Sequence, residues 1–310
     1  MTSLPYLAIL GSTASGKSAV AMALAESDIG RSRQIEILSV DAMQVYQGMD
    51  IGTAKPTPVE QKSVRHHLID LVDANETFTV AQFQQAYRSA LDDMEKRQAL
   101  GVLVGGTGLY VRAIVDDLAF PGQWPELRQS LDAEARNQGP EALHRRLQVL
   151  DPEAADRMEP TNIRRIVRAL EVTVGSGRPF SSFGPGVDTY PASPVRQFAL
   201  QWPRPVLAKR IEERVVSMMS CGLVAEVERL LHQGLSPTAR QALGYKEIIQ
   251  YLDGTVTLDE ATSLTITRTR QFAVRQERWF RRDPRITWIL VESDPVLEAV
   301  PQLLEEFSTR

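Results

Sequence analysis

Tyr6-Leu-Ala-Ile-Leu10-Gly11-Ser12-Thr13-Ala14-Ser15-Gly16-Lys17-Ser18 is the stretch that decides the fold of this 310-residue chain. A compact apolar run stops at Gly11, and Ala19, Val20, Ala23 and Leu24 then recur at helical spacing, so the text reads strand, tight loop, helix. Residues 11–18 satisfy G-x-x-x-x-G-K-[ST] in the setting that a phosphate-binding loop requires. The glycines let successive N–H groups turn inward around an oxyanion, and the helix N-terminus adds its dipole. Lys17 supplies a point charge, and Ser18 an oxygen for Mg²⁺. Gly11, Ser12, Thr13, Ala14, Ser15, Gly16, Lys17 and Ser18 are therefore expected to bind a di- or triphosphate. The motif does not say which.

The same alternation continues outward. Ile35 to Val40 reads as a second strand ending at Asp41. Thr79 with Gln82 forms a capping-box pattern, and Phe83, Tyr87, Ala90, Leu91 and Met94 follow at 3.6-residue spacing up to Lys96. Gly101 to Val104 is another short strand, running into Gly105-Gly106-Thr107-Gly108. Such βαβ units predict an α/β fold, a P-loop NTPase-like parallel sheet covered on both faces. Pro121 to Glu171 carries helical patterns without a clear strand and reads as a helical insertion domain. Gly175 to Pro194, rich in Gly, Pro and Ser, reads as a long loop. Val195 to Gln201 predicts a returning strand, Val206 to Gly234 an amphipathic helix, and Ile286 to Val291 a late strand. The division expected is a catalytic core at 1–120 and 195–310, with the insertion at 121–194.

Composition narrows the class. With 43% hydrophobic and 24% charged residues, the chain is an ordinary globular one, neither disordered nor fibrous. Its single cysteine, Cys221, excludes an internal disulfide and a multi-Cys zinc site, and fits a reducing cytoplasm. No targeting leader and no run of about 18 apolar residues is read, so no membrane segment is expected. A net charge of −4 argues against a globally basic nucleic-acid binder. Totals hide patches, however. Arg268 to Arg285 holds seven arginines with Phe272, Trp279 and Phe280 interleaved, a pattern able to grip phosphates and stack on unpaired bases. Arg164, Arg165 and Arg168 form a second cluster on one helix. Either could equally be a solvated or ion-paired face.

Asp41 ends a strand at the carboxyl edge, where open α/β sheets bind ligands. It could ligate Mg²⁺, act as a general base, or simply cap the turn at Met43. The strand at 102–104 ends in Gly-Gly-Thr rather than an acid, which favours base chemistry. Thr107 could bond a phosphate or a base edge, or be a turn residue. His66 and His67 read as structural imidazoles before a Leu68-Ile69 strand, and Asp116-Asp117 as a solvated helix end.

Seven blocks together resemble the tRNA dimethylallyltransferases: residues 11–18, Ser-Val-Asp-Ala-Met-Gln-Val-Tyr-Gln-Gly-Met-Asp-Ile-Gly-Thr-Ala-Lys-Pro at 39–56, His-His-Leu-Ile-Asp at 66–70, Val-Gly-Gly-Thr-Gly-Leu-Tyr at 104–110, and segments 162–172, 240–247 and 267–282. The resemblance implies transfer of a dimethylallyl group from dimethylallyl diphosphate to N6 of the adenine just 3′ of certain anticodons. It implies that the loop takes the donor's diphosphate with Mg²⁺, and that the insertion closes over the tRNA anticodon stem-loop. By motif, Asp41 would be the base, with Lys17 and Thr107 also catalytic. Asp41, Ala42, Met43 and Gln44 would contact the flipped adenine. Thr107, Arg128, Arg164, Arg165, Arg168, Arg240, Lys246 and Arg275 would contact tRNA, and Arg240 would also help neutralise the diphosphate. A cytoplasmic monomer is expected. Ala42 stands where the family usually has Ser, and Gln47 where it usually has Arg; the zinc finger of larger relatives is absent. A small-molecule P-loop kinase is the alternative, and it would have no need of the basic aromatic C-terminus.

Overall fold

The computed structural model describes residues 6–184, 186–187 and 189–308. Residues 1–5, and Pro185 and Asp188 within the expected 175–194 loop, lie outside the described residues. In chain order come β1 (Leu7–Gly11), α1 (Lys17–Glu26), α2 (Asp28–Ser32), β2 (Ile35–Val40), α3 (Pro58–Ser63), β3 (His66–His67), α4 (Val80–Arg97), β4 (Leu100–Gly105) and α5 (Gly108–Val115). Then follow α6 (Pro125–Gln138), α7 (Pro140–Leu150), α8 (Pro152–Asp156) and α9 (Ile163–Ser176). The chain continues with β5 (Arg196–Gln201), α10 (Arg204–Ser220), α11 (Leu223–Gln233), α12 (Tyr245–Leu252), α13 (Leu258–Phe280), β6 (Ile286–Leu290) and α14 (Pro295–Ser308). Two compact units result: Met1–Val115 with Ala192–Arg310, and Asp116–Pro191.

In the first unit the six strands form one parallel sheet in the order β3-β2-β4-β1-β5-β6. Side chains alternate across each strand, so one apolar run feeds two cores. Ala8, Leu10, Leu38, Val40 and Leu103 enter one, with Phe83 and Tyr87 of α4 and Val227 of α11. Leu7, Ile9, Ile37, Val102 and Val104 enter the other, with Val20 and Leu24 of α1 and Leu303 of α14. Burying each such aliphatic side chain contributes roughly 1.5–3 kcal/mol, which is why both faces of the sheet must be covered. The alternation of strands and helices thus gives the parallel α/β sheet expected. The strand ends at Gly11, Val40 and Gly105 share its carboxyl edge.

Three local expectations needed correction. The helix expected over 206–234 is two helices, because Gly222 takes a left-handed φ of 99° between α10 and α11. His66 and His67 are themselves β3, paired to Ile37 and Leu38, whereas Leu68 turns away at φ 66°. The helix α9 extends to Ser176 into the stretch expected to be loop, and a 3₁₀ turn at Phe180–Phe183 follows. Helix α14 escaped notice because Pro301, ordinarily a breaker, lies inside it.

The second unit packs Leu131, Leu143, Leu147, Ile166, Val167 and Leu170 into its own core. Glu171, 1% exposed, is its polar centre: it accepts the Trp124 N–H at 2.9 Å and pairs with Arg128 at 3.1 Å and Arg168 at 3.0 Å. Arg168 also donates to the carbonyls of Pro121 and Gly122. Two of the arginines expected to meet tRNA are therefore already committed to a buried carboxylate. Arg164 and Arg165 are exposed.

Candidate active site

The phosphate loop leaves β1 at Gly11 and curls through left-handed backbone at Ala14 (φ 62°) and Gly16 (φ 90°) before α1 begins at Lys17. Its outward carbonyls are held from α10 and the end of β5. Arg210 Nε donates to Ala14 O at 3.0 Å, and Trp202 Nε1 to Ser15 O at 2.9 Å, with the Arg210 guanidinium 4.3 Å over the Trp202 ring. Ser12 and Ser15 are buried beneath the loop, and Gly11 leaves room for Ser15 Oγ, which a Cβ at Gly11 would meet at 2.8 Å.

Inside the curl lies a cavity of about 470 Å³. Thr13, Ala14, Gly16, Lys17 and Ser18 of the loop line it, together with Asp41 and Gln44 beyond β2. Ile37, Val104 and Phe272 give it apolar wall, and Arg210, Glu213, Arg214 and Gln276 close it from α10 and α13. Burial, reinforced by the Arg214 cation, pushes Lys17 down to about 8 against the opposing pull of Asp41. Burial likewise lowers Arg214, and Asp41 again opposes.

Of the roles the sequence left open for Asp41, the cap is directly visible: its Oδ1 accepts the Met43 N–H at 2.8 Å, and the residue also faces the cavity. Thr107 stands beside it, its Oγ1 accepting the Ala42 N–H at 3.3 Å. Gln44 is 8% exposed and fully engaged. It accepts from Ser39 Oγ at 2.7 Å and donates to the Thr53 and Ala54 carbonyls at 3.2 Å. The turn just before those carbonyls is held by buried Glu226, which accepts the N–H groups of Asp50, Ile51 and Gly52 and the Tyr245 hydroxyl.

Other expected residues are not brought to this cavity. Arg240 is exposed on a 3₁₀ turn at Ala239–Gln241 and is not among the lining residues, whereas Arg210 and Arg214 are. Lys246 lies on α12, and Arg275 is exposed on α13 over Phe272, its own helical neighbour, at 5.8 Å. The aromatic stacking expected of 268–285 is reduced to Phe272. Phe280 is 2% exposed in the core, and Trp279 packs against Gly108, where a Cβ would come within 2.1 Å of the indole. Arginines of this cluster hold carboxylates: Arg268 with Glu247, Arg270 with Glu212, Arg281 with Glu277 and Arg285 with Asp283. Of the two histidines, His67 is structural, bonded to Glu36 at 2.6 Å, whereas His66 lines the cavity with its Nδ1 against Val64 O. Burial lowers the pKa of His66.

Among the described residues no group of three or more His, Cys, Asp or Glu side chains is placed to hold a metal ion. Mg²⁺ usually keeps several waters and takes one or two protein oxygens plus substrate phosphates. Ser18 and Asp41 in one cavity fit that mode when a diphosphate is present.

Comparison with known proteins decides the lineage. The IPP transferase family model matches residues 44–283. The chain belongs to the IPP transferase family. Its relatives in that family cover nearly the whole of it. A tRNA dimethylallyltransferase of Kineococcus radiotolerans is 50% identical over 310 residues, 96% of this chain and 96% of its own. The full-length tRNA isopentenylpyrophosphate transferase of Bacillus halodurans, a crystal structure, is 36% identical, with a TM-score of 0.69 over 98% of this chain and 97% of that one. A eukaryotic dimethylallyltransferase solved acting on tRNA shares the fold at a TM-score of 0.82 and 23% identity, over 99% of this chain and 80% of that one. In this IPP transferase no helix of the described residues is long and apolar enough to cross a membrane.

Proposed function

We propose that the chain transfers the dimethylallyl group of dimethylallyl diphosphate to N6 of the adenine immediately 3′ of the anticodon in certain tRNAs, releasing diphosphate. The observation that carries this reading is one cavity holding three things together: a phosphate loop with Lys17, Arg210 and Arg214; apolar wall from Ile37, Val104 and Phe272; and the carboxylate of Asp41.

The allylic C–O bond breaks as the N6–C bond forms. Charge develops on the departing diphosphate, where Lys17, Arg214 and the loop amides neutralise it without reorganising. Ser18, with the donor's own phosphates, would hold Mg²⁺, and the ion would supply further positive charge at the same place. The exocyclic amine of adenine is a weak nucleophile, so holding it against the allylic carbon and removing its proton must supply the rest. Asp41 accepts that proton, and Thr107, Ala42, Met43 and Gln44 shape the site for the base. A stacked adenine cannot reach Asp41, so it leaves the anticodon loop at a cost of a few kcal/mol. Exposed Arg164, Arg165, Arg240 and Arg275, together with Lys246, serve the tRNA backbone, whereas Arg128 and Arg168 hold the helices that carry it. The chain works as a monomer in the cytoplasm.

The kinase alternative is separated by its donor. With ATP in place of dimethylallyl diphosphate the chain is expected to release no ADP stoichiometric with product, and with the prenyl donor it is expected to modify tRNA. Stoichiometric ADP would sink the prenyl-transfer reading.

A further inference from the structure

Gln276 of α13 is 8% exposed and lines the cavity, yet both ends of its amide are used by backbone. Its Oε1 accepts the Thr13 N–H at 2.9 Å, and its Nε2 donates to the Gly106 carbonyl at 2.8 Å. The two partners fix the amide's orientation, since Thr13 N–H can only donate and Gly106 O only accept. Thr13 belongs to the phosphate loop. Gly106 precedes Thr107, whose Oγ1 is bonded to the N–H next to Asp41. The paired register of β1 with β4 ends at Leu10↔Gly105, so beyond that point Gln276 spans the gap in place of a backbone ladder. The fit is close. A Cβ on Gly106 would meet Gln276 Nε2 at 2.5 Å and Gly11 O at 2.9 Å.

We propose that Gln276 is a positioning residue that sets the spacing between the phosphate loop and the Thr107–Asp41 side of the site. The inference rests on the prenyl-transfer reading, in which the leaving group sits on one side of that spacing and the attacking amine on the other. A displacement of about 1 Å between reacting groups costs about 10²-fold in rate.

Gln276→Leu and Gln276→Glu, made in the full chain, test it with dimethylallyl diphosphate and unmodified tRNA. The Leu variant is expected to lose about 10²-fold in kcat while KM for donor and tRNA stay within about twofold, with the parent's circular dichroism and the parent's titre of donor-binding sites retained, so that a smaller folded fraction does not account for the loss. The Glu variant separates positioning from packing. An ionised carboxylate repels the Gly106 carbonyl, but a protonated one offers the same acceptor and donor as the amide. Its rate relative to the parent is therefore expected to climb at least tenfold as pH falls from about 8 to about 6, while the Leu ratio stays flat. Lys17, Asp41, His66, Arg210, Glu213 and Arg214 face the same cavity in every variant, and dividing by the parent's rate at each pH removes their titration. A flat Glu ratio, or a Leu variant with the parent's kcat, would overturn the positioning role. An inactive parent would instead count against the prenyl-transfer reading itself.

Discussion

Asp41→Asn is expected to lose about 10²- to 10⁴-fold of the single-turnover prenylation rate, the usual worth of a positioned general base, while binding tRNA as the parent does. Asn is the informative substitution. Its side-chain oxygen can still accept the Met43 N–H that Asp41 Oδ1 now takes at 2.8 Å, so the turn survives and only the proton acceptor is lost. One indirect effect needs control. Asp41 opposes the lowering of Lys17, so its removal lets Lys17 fall further below about 8. Rates compared across pH, down to the acid side where neither protein's rate still changes with that lysine's charge, leave the base as the difference. A variant as fast as the parent would remove Asp41 from the proton transfer.

Lys17→Ala is expected to lower the rate by about 10²- to 10³-fold, the scale seen when one preorganised donor to developing negative charge is removed. Affinity for dimethylallyl diphosphate falls with it, and affinity for tRNA does not. Fold disruption is not expected, because among the described residues the Lys17 ammonium makes one long hydrogen bond, 3.4 Å, to Ser12 O. The parent's pH profile reports on the same charge. Lys17 is depressed to about 8, so it is protonated below that pH and loses its charge above it. kcat/KM for the donor should therefore fall on the alkaline side of about pH 8, since that parameter reports the free enzyme. In Lys17→Ala the alkaline fall disappears. Equal loss of donor and tRNA binding would mark misfolding instead.

The parts of this site that can be read from the chain are those built by neighbours in sequence. The phosphate loop is eight contiguous residues between a strand and a helix, and Asp41 ends an apolar strand six residues long. The remaining wall comes from far away. Arg210, Glu213 and Arg214 lie on α10, with nothing in their own segment to mark them, and Gln276 lies on α13, in a stretch that stands out for its arginines and aromatics rather than for its glutamine. Arg210 and Arg214, four apart on one helix face, are the nearest thing to a signal, but many surface helices carry such a pair. Glu213 also places a second carboxylate in the cavity that the ends of the strands do not announce. The arginine clusters left two readings open, and ion pairs account for much of their charge: the 268–285 cluster meets Glu247, Glu212, Glu277 and Asp283, and Arg128 and Arg168 meet Glu171. Charge density in a sequence does not distinguish a guanidinium facing solvent from one that satisfies a buried carboxylate. His66 reaches the cavity only through the pairing of β3 to β2, which its own segment does not announce.

The chain's acidic total, −4, is compatible with a polyanion substrate because the positive charge that matters is local. Arg164, Arg165, Arg240 and Arg275 are exposed, and each acts over the roughly 8–10 Å within which salt leaves a surface charge unscreened.

The most direct measurement is mass spectrometry of the nucleosides released from unmodified tRNA after incubation with the purified chain, dimethylallyl diphosphate and Mg²⁺. The cavity as described predicts N6-dimethylallyladenosine from the position 3′ of the anticodon in the parent digest, and its near absence from the Asp41→Asn digest. An unmodified adenosine at that position in the parent digest, with donor and tRNA both bound, would contradict it.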